Sequence, residues 1–592
     1  MKQLMTGNEA IARGVYEAGV RFAAAYPGTP SSEIMENIAK YPKDDLHAEW
    51  SANEKVALEA AVGFAIAGGR AFAAMKQVGL NVAADPLFSF AYTGTTGGLV
   101  LVTADEPGIH SSQTEQDNRY YALMAKVPLL EPSDSQECKD MVIYGIQLSE
   151  EMRMPVIIRM TTRVCHSKSL VELGERRTVP AGEYARDIKR FTTMPAIAVQ
   201  QRYLLEDKLK KLAEISENSP FNFIEWHDKK IGIVTSGIAW QYSKDVFGET
   251  ASYLKIGFEW PVPMEKIKKF AAEVAELYVI EEVEPFLENP IRQAGLKVKG
   301  KDVLPNIGEL SVNIIRKAFL GKDAELIPSD PSKLVPRPPV LCAGCPHRGI
   351  FYLLSRHKDL FVCGDIGCYG LGALPPLNAV DTVLCMGHSV SGGHGAAKFM
   401  EMYEKPLRTV SVVGDSTFFH SGLTGLLNSV YNQSRNVIII LDNRVTGMTG
   451  HQDHPGTGRT AQGDPAPEAD IPAIVRAMGV KEVAVVNPWN LEETKKALDH
   501  ALSLDEPAVV ICRWPCILKK FNDEDRKEFA MPKIRYAVNQ EVCVGCGKCV
   551  STGCPAIRLD RKAKKSSIEA EMCAGCAICA QVCPVQAIAA KA

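Results

Sequence analysis

The sequence lacks a charge excess of either sign and any apolar run long enough for a membrane helix. Its 592 residues carry 67 lysines and arginines against 70 aspartates and glutamates, a net charge of −3. Such a chain has no overall basic field to attract nucleic acid or an anionic lipid surface. The longest apolar stretch, Val56–Ala67, is interrupted by Glu59 and is shorter than the roughly 20 residues that span a bilayer. We therefore expect no nucleic-acid partner and no membrane partner.

The N-terminus, MKQLMTGNEAIARGVYEAG, also lacks the apolar segment of a secretory signal peptide. We therefore expect a cytoplasmic protein. Disulfides are rare in a reducing compartment, so the 17 cysteines call for another explanation. Eight of them fall between Cys543 and Cys583, and such clustering indicates metal binding.

The clustered cysteines form two short runs of the iron–sulfur type. Each run has three cysteines at two-residue spacing and closes with a Cys-Pro pair, at Cys554 and at Cys583. In two-cluster ferredoxins the fourth cysteine of each run binds the other cluster. The expected 4Fe–4S ligands are Cys543, Cys546, Cys549 and Cys583 for one cluster, and Cys554, Cys573, Cys576 and Cys579 for the other. Two zinc knuckles are the alternative, but zinc sites seldom repeat such close triplets.

Upstream of this module, apolar strands alternate with helical stretches. Examples are Leu99–Thr103, Val156–Met160 and Ile231–Thr235. This rhythm predicts α/β domains built on parallel sheets. Five prolines in Pro328–Pro339 indicate a linker. The expected domains are a first α/β domain at 1–175, a middle α/β domain at 190–325, a third α/β domain at 335–520, and a ferredoxin-like α+β domain at 533–592.

Two oxygen-bearing side chains follow successive strands of the third domain. One strand ends at Gly414-Asp415, and the next, Val437–Leu441, is followed closely by Asn443. Open α/β sheets bind ligands beyond the carboxyl ends of their strands, and Mg²⁺ prefers oxygen ligands together with phosphate. We therefore predict a Mg²⁺ site made by Asp415, Asn443 and the carbonyl of Val445. For Asp415 alone, the alternative is a helix N-cap.

The pattern Gly-Asp-x followed by a later Asp-Asn pair resembles the diphosphate motif of thiamine diphosphate enzymes. Most members have Gly at the position of Ser416 and Asn at that of Asp442, but both departures keep the proposed metal ligands. The glycine-rich segment after Gly387 is also suited to approach a diphosphate through its backbone N–H groups. The expected cofactor contacts are Gly414, Asp415, Ser416, Asn443, Gly387, His388 and Ser389.

The first domain resembles the pyrimidine-binding domain of the 2-oxoacid:ferredoxin oxidoreductases. Residues 26–32 read Tyr-Pro-Gly-Thr-Pro-Ser-Ser, and the family has Tyr-Pro-x-Thr-Pro-Ser-Ser. The resemblance implies that Thr29 contacts the 2-oxoacid carboxylate and that Arg119 is the substrate-binding arginine.

The same resemblance assigns Glu54 as the acid that activates thiamine. It opens an almost wholly apolar helix, and a carboxyl group in apolar surroundings is suited to share a proton with the aminopyrimidine ring. A plain first-turn acid is the alternative for Glu54. Glu49 and Glu59 are rivals for the catalytic role.

Within this family, the whole chain resembles the α subunits of the indolepyruvate branch. The matching stretches include Cys342–Arg348 (Cys-Ala-Gly-Cys-Pro-His-Arg), Gly364–Tyr369 and the ferredoxin-like module. Pyruvate enzymes of the wider family hold another cluster near the thiamine ring, with cysteines in corresponding places. The resemblance thus gives the hypothesis of a third cluster, held by Cys342, Cys345, Cys368 and Cys516. The alternative is that these are buried thiols or part of a structural turn.

The resemblance implies oxidative decarboxylation of arylpyruvates to aryl-acetyl-coenzyme A with reduction of an external ferredoxin. The implied cofactors are thiamine diphosphate, Mg²⁺ and the 4Fe–4S clusters. The implied partner is a separate β subunit, in a tetramer of two α and two β chains. Two alternatives are a non-oxidative thiamine-dependent 2-oxoacid decarboxylase and an electron-transfer subunit of a larger complex.

Overall fold

The computed structural model describes residues 1–180, 182, 186–323, 330–335, 338–532 and 534–591. The chain divides into two compact units, the first formed by Met1–Ser329 with Ala461–Gly463 and the second by the remainder. Residues 328, 329, 336 and 337 of the predicted linker lie outside the described residues, as do the predicted domain limits at 325, 533 and 592. In the part of the chain that is described, no helix is both long and apolar enough to cross a bilayer.

The first unit alternates strands and helices. Its strands are β1 (Lys2–Thr6), β2 (Phe22–Ala25), β3 (His47–Trp50), β4 (Ala71–Lys76), β5 (Leu99–Asp105), β6 (Leu129–Leu130), β7 (Val156–Thr161), β8 (Lys168–Glu172), β9 (Phe223–Glu225), β10 (Ile231–Ser236), β11 (Ser252–Ile256), β12 (Phe258–Trp260) and β13 (Glu276–Ile280). Its helices are α1 (Gly7–Glu17), α2 (Ser32–Ile38), α3 (Glu54–Ile66), α4 (Gln77–Val82), α5 (Ala84–Thr93), α6 (Arg119–Ala125), α7 (Ser135–Met152), α8 (Thr162–His166), α9 (Ile188–Phe191), α10 (Pro195–Glu217), α11 (Gly237–Phe247), α12 (Met264–Ala272), α13 (Glu288–Gln293) and α14 (Val312–Leu320).

A seven-stranded sheet forms the centre of the first unit, in the order β12-β6-β7-β5-β4-β2-β3. All neighbours in it are parallel except β12, which pairs antiparallel with β6. A second sheet has the order β13-β10-β11-β9, with a parallel core. The predicted parallel sheets are thus confirmed. The structure adds that β12, which belongs to the predicted middle domain, extends the sheet of the predicted first domain.

The second unit contains a five-stranded parallel sheet and two antiparallel pairs. Its strands are β14 (Leu360–Cys363), β15 (Arg408–Gly414), β16 (Val437–Asp442), β17 (Glu482–Val486), β18 (Ala508–Arg513), β19 (Arg535–Val538), β20 (Ile557–Asp560), β21 (Lys565–Ile568) and β22 (Ile588–Lys591). Its helices are α15 (His347–Leu354), α16 (His388–Met402), α17 (Asp415–Thr417), α18 (Leu423–Tyr431), α19 (Ile471–Ala477), α20 (Leu491–Ser503), α21 (Asp523–Glu528) and α22 (Ile578–Gln581). The parallel sheet runs β14-β15-β16-β18-β17, and the pairs are β19-β22 and β20-β21.

The core of the second unit joins the parallel sheet to the cysteine module. Ile578 of α22 is buried in the same apolar cluster as Val410, Val437 and Val510 from the central strands. The side chain of Gln581 also accepts a hydrogen bond from the N–H of Leu491 (2.9 Å). The module is therefore packed directly on the domain that carries Asp415.

Candidate active site and iron–sulfur centres

Thr29 lies in a tightly held loop after β2, at the carboxyl edge of the first sheet. The N–H of Gly28 donates to Ser32 Oγ and Ser31 Oγ donates to the carbonyl of Gly28, each over 2.8 Å. Lys76, at the end of the adjacent strand β4, packs so closely on Gly28 that an added Cβ would lie 3.0 Å from its Cδ. The loop therefore presents a half-buried threonine near a lysine.

Glu54 begins α3 and is 4% exposed. Asn53 caps the helix by accepting from the N–H of Val56 (2.9 Å). A Cβ on Gly79 would stand 2.7 Å from Glu54 Oε1, so the glycine makes room for this carboxyl group. The rivals are more exposed: the Glu59 side chain is 48% exposed and paired with Lys55, and that of Glu49 is 35% exposed beside His47.

Arg119 lies elsewhere, in a fully buried charge cluster. Its guanidinium pairs with Asp117 (2.6 Å), with Glu281 (2.8 Å) and, more loosely, with Glu259 (3.6 Å). It also donates to the carbonyl of Glu282 (2.9 Å). Its side chain is 0% exposed, so these surroundings are those of a core-building ion cluster rather than of a substrate-facing arginine.

In the second unit, Asp415 and Asn443 follow the adjacent parallel strands β15 and β16, where Gly414 pairs with Leu441. With its NH₂ turned toward them, the Asn443 amide lies 3.2 Å from Asp415 Oδ1 and 2.7 Å from the carbonyl of Val445. The Asn443 amide is therefore in contact with both the Asp415 carboxylate and the Val445 carbonyl, and these are groups of the kind that would hold Mg²⁺. If a cation bound here, the Asn443 amide would turn so that its oxygen, and not its NH₂, faced the cation.

The surroundings of Asp415 keep it ionised. Burial opposes the charge, but His454, whose Nε2 is 3.1 Å from Asp415 Oδ2, and the N–H of Ser416 (2.9 Å) hold the pKa of this carboxyl below its ordinary value. On the other side, Asn443 is 3.3 Å from His347 Nε2. Burial lowers the pKa of His347 to about 4, so this ring is neutral at pH 7.

The segment after Gly387 is organised by another acid. The backbone N–H groups of Gly387 and Ser389 each donate to the buried carboxylate of Asp365 over 2.9 Å, and that of His388 donates to the carbonyl of Cys385 (3.0 Å). The three N–H groups named from the sequence are thus already hydrogen-bonded within the protein. No role is predicted from the sequence for Asp365, because it lies 22 residues before Gly387 and no local pattern links the two.

The C-terminal cysteines form two groups. A cavity in the module is lined by Cys543, Cys546, Cys549 and Cys583, the set expected for the first cluster. Backbone N–H groups point at two of these sulfurs, from Ser566 to Cys543 (3.5 Å) and from Ala587 to Cys583 (3.2 Å). In iron–sulfur clusters, such N–H···S contacts help to set the reduction potential.

The other four cysteines of the module are also neighbours. Burial raises the pKa of Cys579 to about 12, and the nearby thiols of Cys576, Cys554 and Cys573 raise it further. The N–H of Tyr536 donates to Cys573 Sγ (3.5 Å). The expected second ligand set is thus clustered, and Cys549 of the first set is also within electrostatic range of Cys579. The division into two ligand sets stays a prediction.

The four cysteines of the third-cluster hypothesis lie within electrostatic range of one another. Burial raises the pKa of Cys345 to about 12, with further contributions from Cys368 and Cys516. Burial also raises that of Cys368 to about 11, with contributions from Cys516 and Cys342. The N–H of Cys516 donates to the carbonyl of Asn443 (2.9 Å), so this group adjoins the predicted Mg²⁺ site. Among the described residues, no three His, Cys, Asp or Glu side chains form a site for a metal ion.

Three segments of the chain match known families. Residues 13–208 match the family described as pyruvate flavodoxin/ferredoxin oxidoreductase, thiamine diphosphate-binding. Residues 365–512 match the C-terminal thiamine pyrophosphate-binding domain of thiamine pyrophosphate enzymes. Residues 535–584 match the 4Fe–4S dicluster domain.

Relatives also match along the whole chain. The indolepyruvate oxidoreductase subunit IorA of Archaeoglobus fulgidus is 42% identical over 99% of this chain and 97% of its own length. That of Thermococcus kodakarensis is 40% identical over 99% and 96%. The 2-oxoglutarate synthase subunit KorA of Methanothermobacter marburgensis is 25% identical over 51% of this chain and 93% of its own length.

Fold, site and family matches together define an oxidoreductase with thiamine diphosphate-binding domains and a 4Fe–4S dicluster module. More particularly, the chain belongs to the family of the indolepyruvate oxidoreductase subunit IorA. The family and fold class predicted from the sequence are therefore confirmed.

Proposed function

We propose that this chain is the catalytic subunit of an enzyme that oxidises arylpyruvates, of the indolepyruvate and phenylpyruvate type, to aryl-acetyl-coenzyme A. The 2-oxoacid, coenzyme A and two oxidised ferredoxins give the acyl thioester, CO₂, one proton and two reduced ferredoxins. The observation that carries the proposal is that one compact unit holds the neighbouring Asp415 carboxylate, Asn443 amide and Val445 carbonyl close to grouped cysteines. This neighbourhood supports a cofactor site that lies close to an electron exit.

The residues divide the proposed work. Asp415, Asn443 and the Val445 carbonyl would hold Mg²⁺ with the cofactor diphosphate, together with Gly414 and Ser416. Gly387, His388 and Ser389 are left out of this role because their backbone N–H groups already donate to Asp365 and Cys385. Thiamine diphosphate, when bound, supplies the electron sink for decarboxylation. Glu54 would hold the proton that activates the aminopyrimidine, and Thr29 would bind the 2-oxoacid carboxylate. Arg119 is not assigned to substrate binding, because carboxylates already enclose its guanidinium.

We further propose two 4Fe–4S clusters in the C-terminal module and a third at Cys342, Cys345, Cys368 and Cys516. Electrons would leave through the clusters to an external ferredoxin. A separate β subunit completes the enzyme, in a cytoplasmic tetramer of two copies of each chain. Full activity of the isolated chain would contradict the need for that subunit.

Thiamine diphosphate binding tests the central claim. In the purified complex, calorimetry with Mg²⁺ should detect binding, and Asp415→Ala should lose more than the roughly 10- to 100-fold that an outer-shell partner contributes. Asp359→Ala is the matched control, because Asp359 is an exposed acid just before β14, at the opposite edge of the same sheet. Equal binding by the native complex and Asp415→Ala would refute the assignment.

Iron counting tests the third cluster. Three cubanes predict about twelve irons per anaerobically reconstituted chain, and Cys345→Ser should reduce this to about eight. Cys385→Ser, an exposed cysteine with no assigned role, is the control. About eight irons in the native chain would remove the third cluster and leave the dicluster module intact.

Product analysis separates the alternative activities. A panel of aromatic and aliphatic 2-oxoacids, with coenzyme A, should give acyl thioester only when an electron acceptor is present. Aldehyde as the sole product would favour a non-oxidative decarboxylase. No turnover of any 2-oxoacid by the complete complex, together with no thiamine diphosphate binding, would favour a pure electron-transfer subunit.

A further inference from the structure

Arg348 connects two cysteine-bearing segments of the second unit. It lies in the first turn of α15, two residues from Pro346, and its side chain is buried. Its guanidinium donates to the carbonyls of Leu341 (2.6 Å) and Cys342 (2.9 Å) on one side and of Thr552 (2.8 Å) on the other. One side chain thus fixes the 342–345 loop to the dicluster module.

The backbones of the two segments approach each other closely around this arginine. A Cβ added to Gly344, whose φ is 74°, would lie 2.4 Å from Cβ of Ala574, which follows Cys573. A Cβ added to Gly553 would lie 3.1 Å from Arg348 Nη1. The two glycines therefore permit a contact that larger residues would push apart.

Arg348 has an uncompensated charge. Among the described residues, no carboxylate lies within salt-bridge distance of it, and its Nε–H is buried without an acceptor. A buried cation is costly unless an anion and hydrogen-bond acceptors accompany it. The three backbone carbonyls satisfy part of the guanidinium but supply no net negative charge. The counter-charge must come from another source.

Two cysteines of different groups lie within electrostatic range of Arg348. Burial raises the pKa of Cys345 to about 12, and the charge of Arg348 opposes that rise. Burial and Cys554 raise the pKa of Cys576, and Arg348 again opposes the rise. The arginine is therefore close enough to influence one thiol of the 342–345 loop and one of the dicluster module.

We propose that the counter-anion of Arg348 is the 4Fe–4S cluster held by Cys554, Cys573, Cys576 and Cys579, and that Arg348 is a positioning residue for electron entry into that cluster. A cubane with four thiolates is anionic, and its sulfurs accept hydrogen bonds such as that offered by Nε–H. Both the positive charge and the hydrogen bond favour the reduced, more negative cluster. Arg348 thereby raises the electron affinity of the cluster that faces the 342–345 loop.

The proposal rests on the iron–sulfur part of the proposed function but not on the third cluster. If iron counting gives about eight, the arginine still lies beside a dicluster cysteine, and the same shift is expected. If about twelve irons are found, Arg348 lies between donor and acceptor clusters. The iron count therefore tests the third cluster, and the potential measurement independently tests the role of Arg348.

The test is a redox titration of the complex followed by electron paramagnetic resonance. Arg348→Gln should reduce the equilibrium constant for one-electron reduction of one cluster at least tenfold, a shift of about 59 mV to lower potential. Arg356→Gln is the matched control, because Arg356 is exposed and reaches the same module through Ser551 Oγ (2.7 Å). Its potentials should equal those of the native protein.

An unchanged set of potentials in Arg348→Gln with full iron content would overturn the proposal. If Arg348→Gln does not retain its iron, Arg348→Lys decides, because it keeps the charge but loses the Nε–H donor and the planar fork. A threefold or larger weakening of reduction in Arg348→Lys supports the proposal. Native potentials in Arg348→Lys would overturn it.

Discussion

Arg119 in the first unit and Arg348 in the second are both fully buried arginines with opposite surroundings. Arg119 pairs with Asp117 and Glu281 and adjoins Glu259. Arg348 has backbone carbonyls and cysteines around it and, among the described residues, no carboxylate partner. The first unit thus balances buried charge with its own side chains. In the second unit, the surroundings of Arg348 instead suit a charge balance by a bound anionic group.

The largest expected effect is the loss of Arg119. Arg119→Gln would leave the Asp117 and Glu281 carboxylates buried without their cation, which typically costs about 3–5 kcal/mol. Native-state hydrogen exchange of the β5 and β7 amides would measure this as a lower free energy of opening. The control is Arg163→Gln, which removes a half-exposed pair with Glu309 and should cost at most about 1 kcal/mol. Equal costs for the two variants would contradict the comparison.

The second effect is smaller and concerns the stability change on replacing Arg348. After the iron is removed with a chelator, no described side chain gives Arg348 an anionic partner, so Arg348→Met is expected to stabilise the parallel sheet of the second unit by about 1–4 kcal/mol. Hydrogen exchange of the β15 and β16 amides in the iron-free protein is the measurement. In the iron-loaded protein the same substitution should destabilise. If Arg348→Met changed the stability in the same direction with and without iron, iron would have no part in balancing the charge of Arg348.

The smallest effect concerns pH. Burial raises the pKa of Asp105 to about 7, so the folded state holds a proton that the unfolded state has released. Stability of the first unit therefore falls as pH rises, by about 1.4 kcal/mol between pH 6 and 8 for this group. Asp105→Asn mimics the protonated form and should remove this part of the slope.

Exchange-derived stabilities of the β5 amides at pH 6 and pH 8 would show the change. Asp44→Asn, at an exposed acid, should keep the native slope. A native slope in Asp105→Asn would mean that the carboxyl is ionised throughout this range.

Periodicity was enough to predict the parallel sheets, because strands buried on both faces are nearly continuous apolar runs. Spacing predicts the division of the C-terminal cysteines, since three ligands of one cluster recur at short fixed intervals and the fourth comes from the other run. The pairing of β12 with β6 was not predictable, because a three-residue strand has too little pattern to reveal its partner. His454 beside Asp415 was also missed, being 39 residues away and outside any motif.

The sequence by itself determined the fold class, the family and the residues that follow the strands of the third domain, because these depend on local pattern and short spacing. Only the tertiary structure decided the surroundings of each charged group. Arg119 is enclosed by Asp117, two residues before it, and by acids as far away as Glu281, 162 residues on. Arg348 instead contacts the carbonyl of Thr552, 204 residues on. Charge balance in a protein interior is set by long-range packing, which no local pattern records.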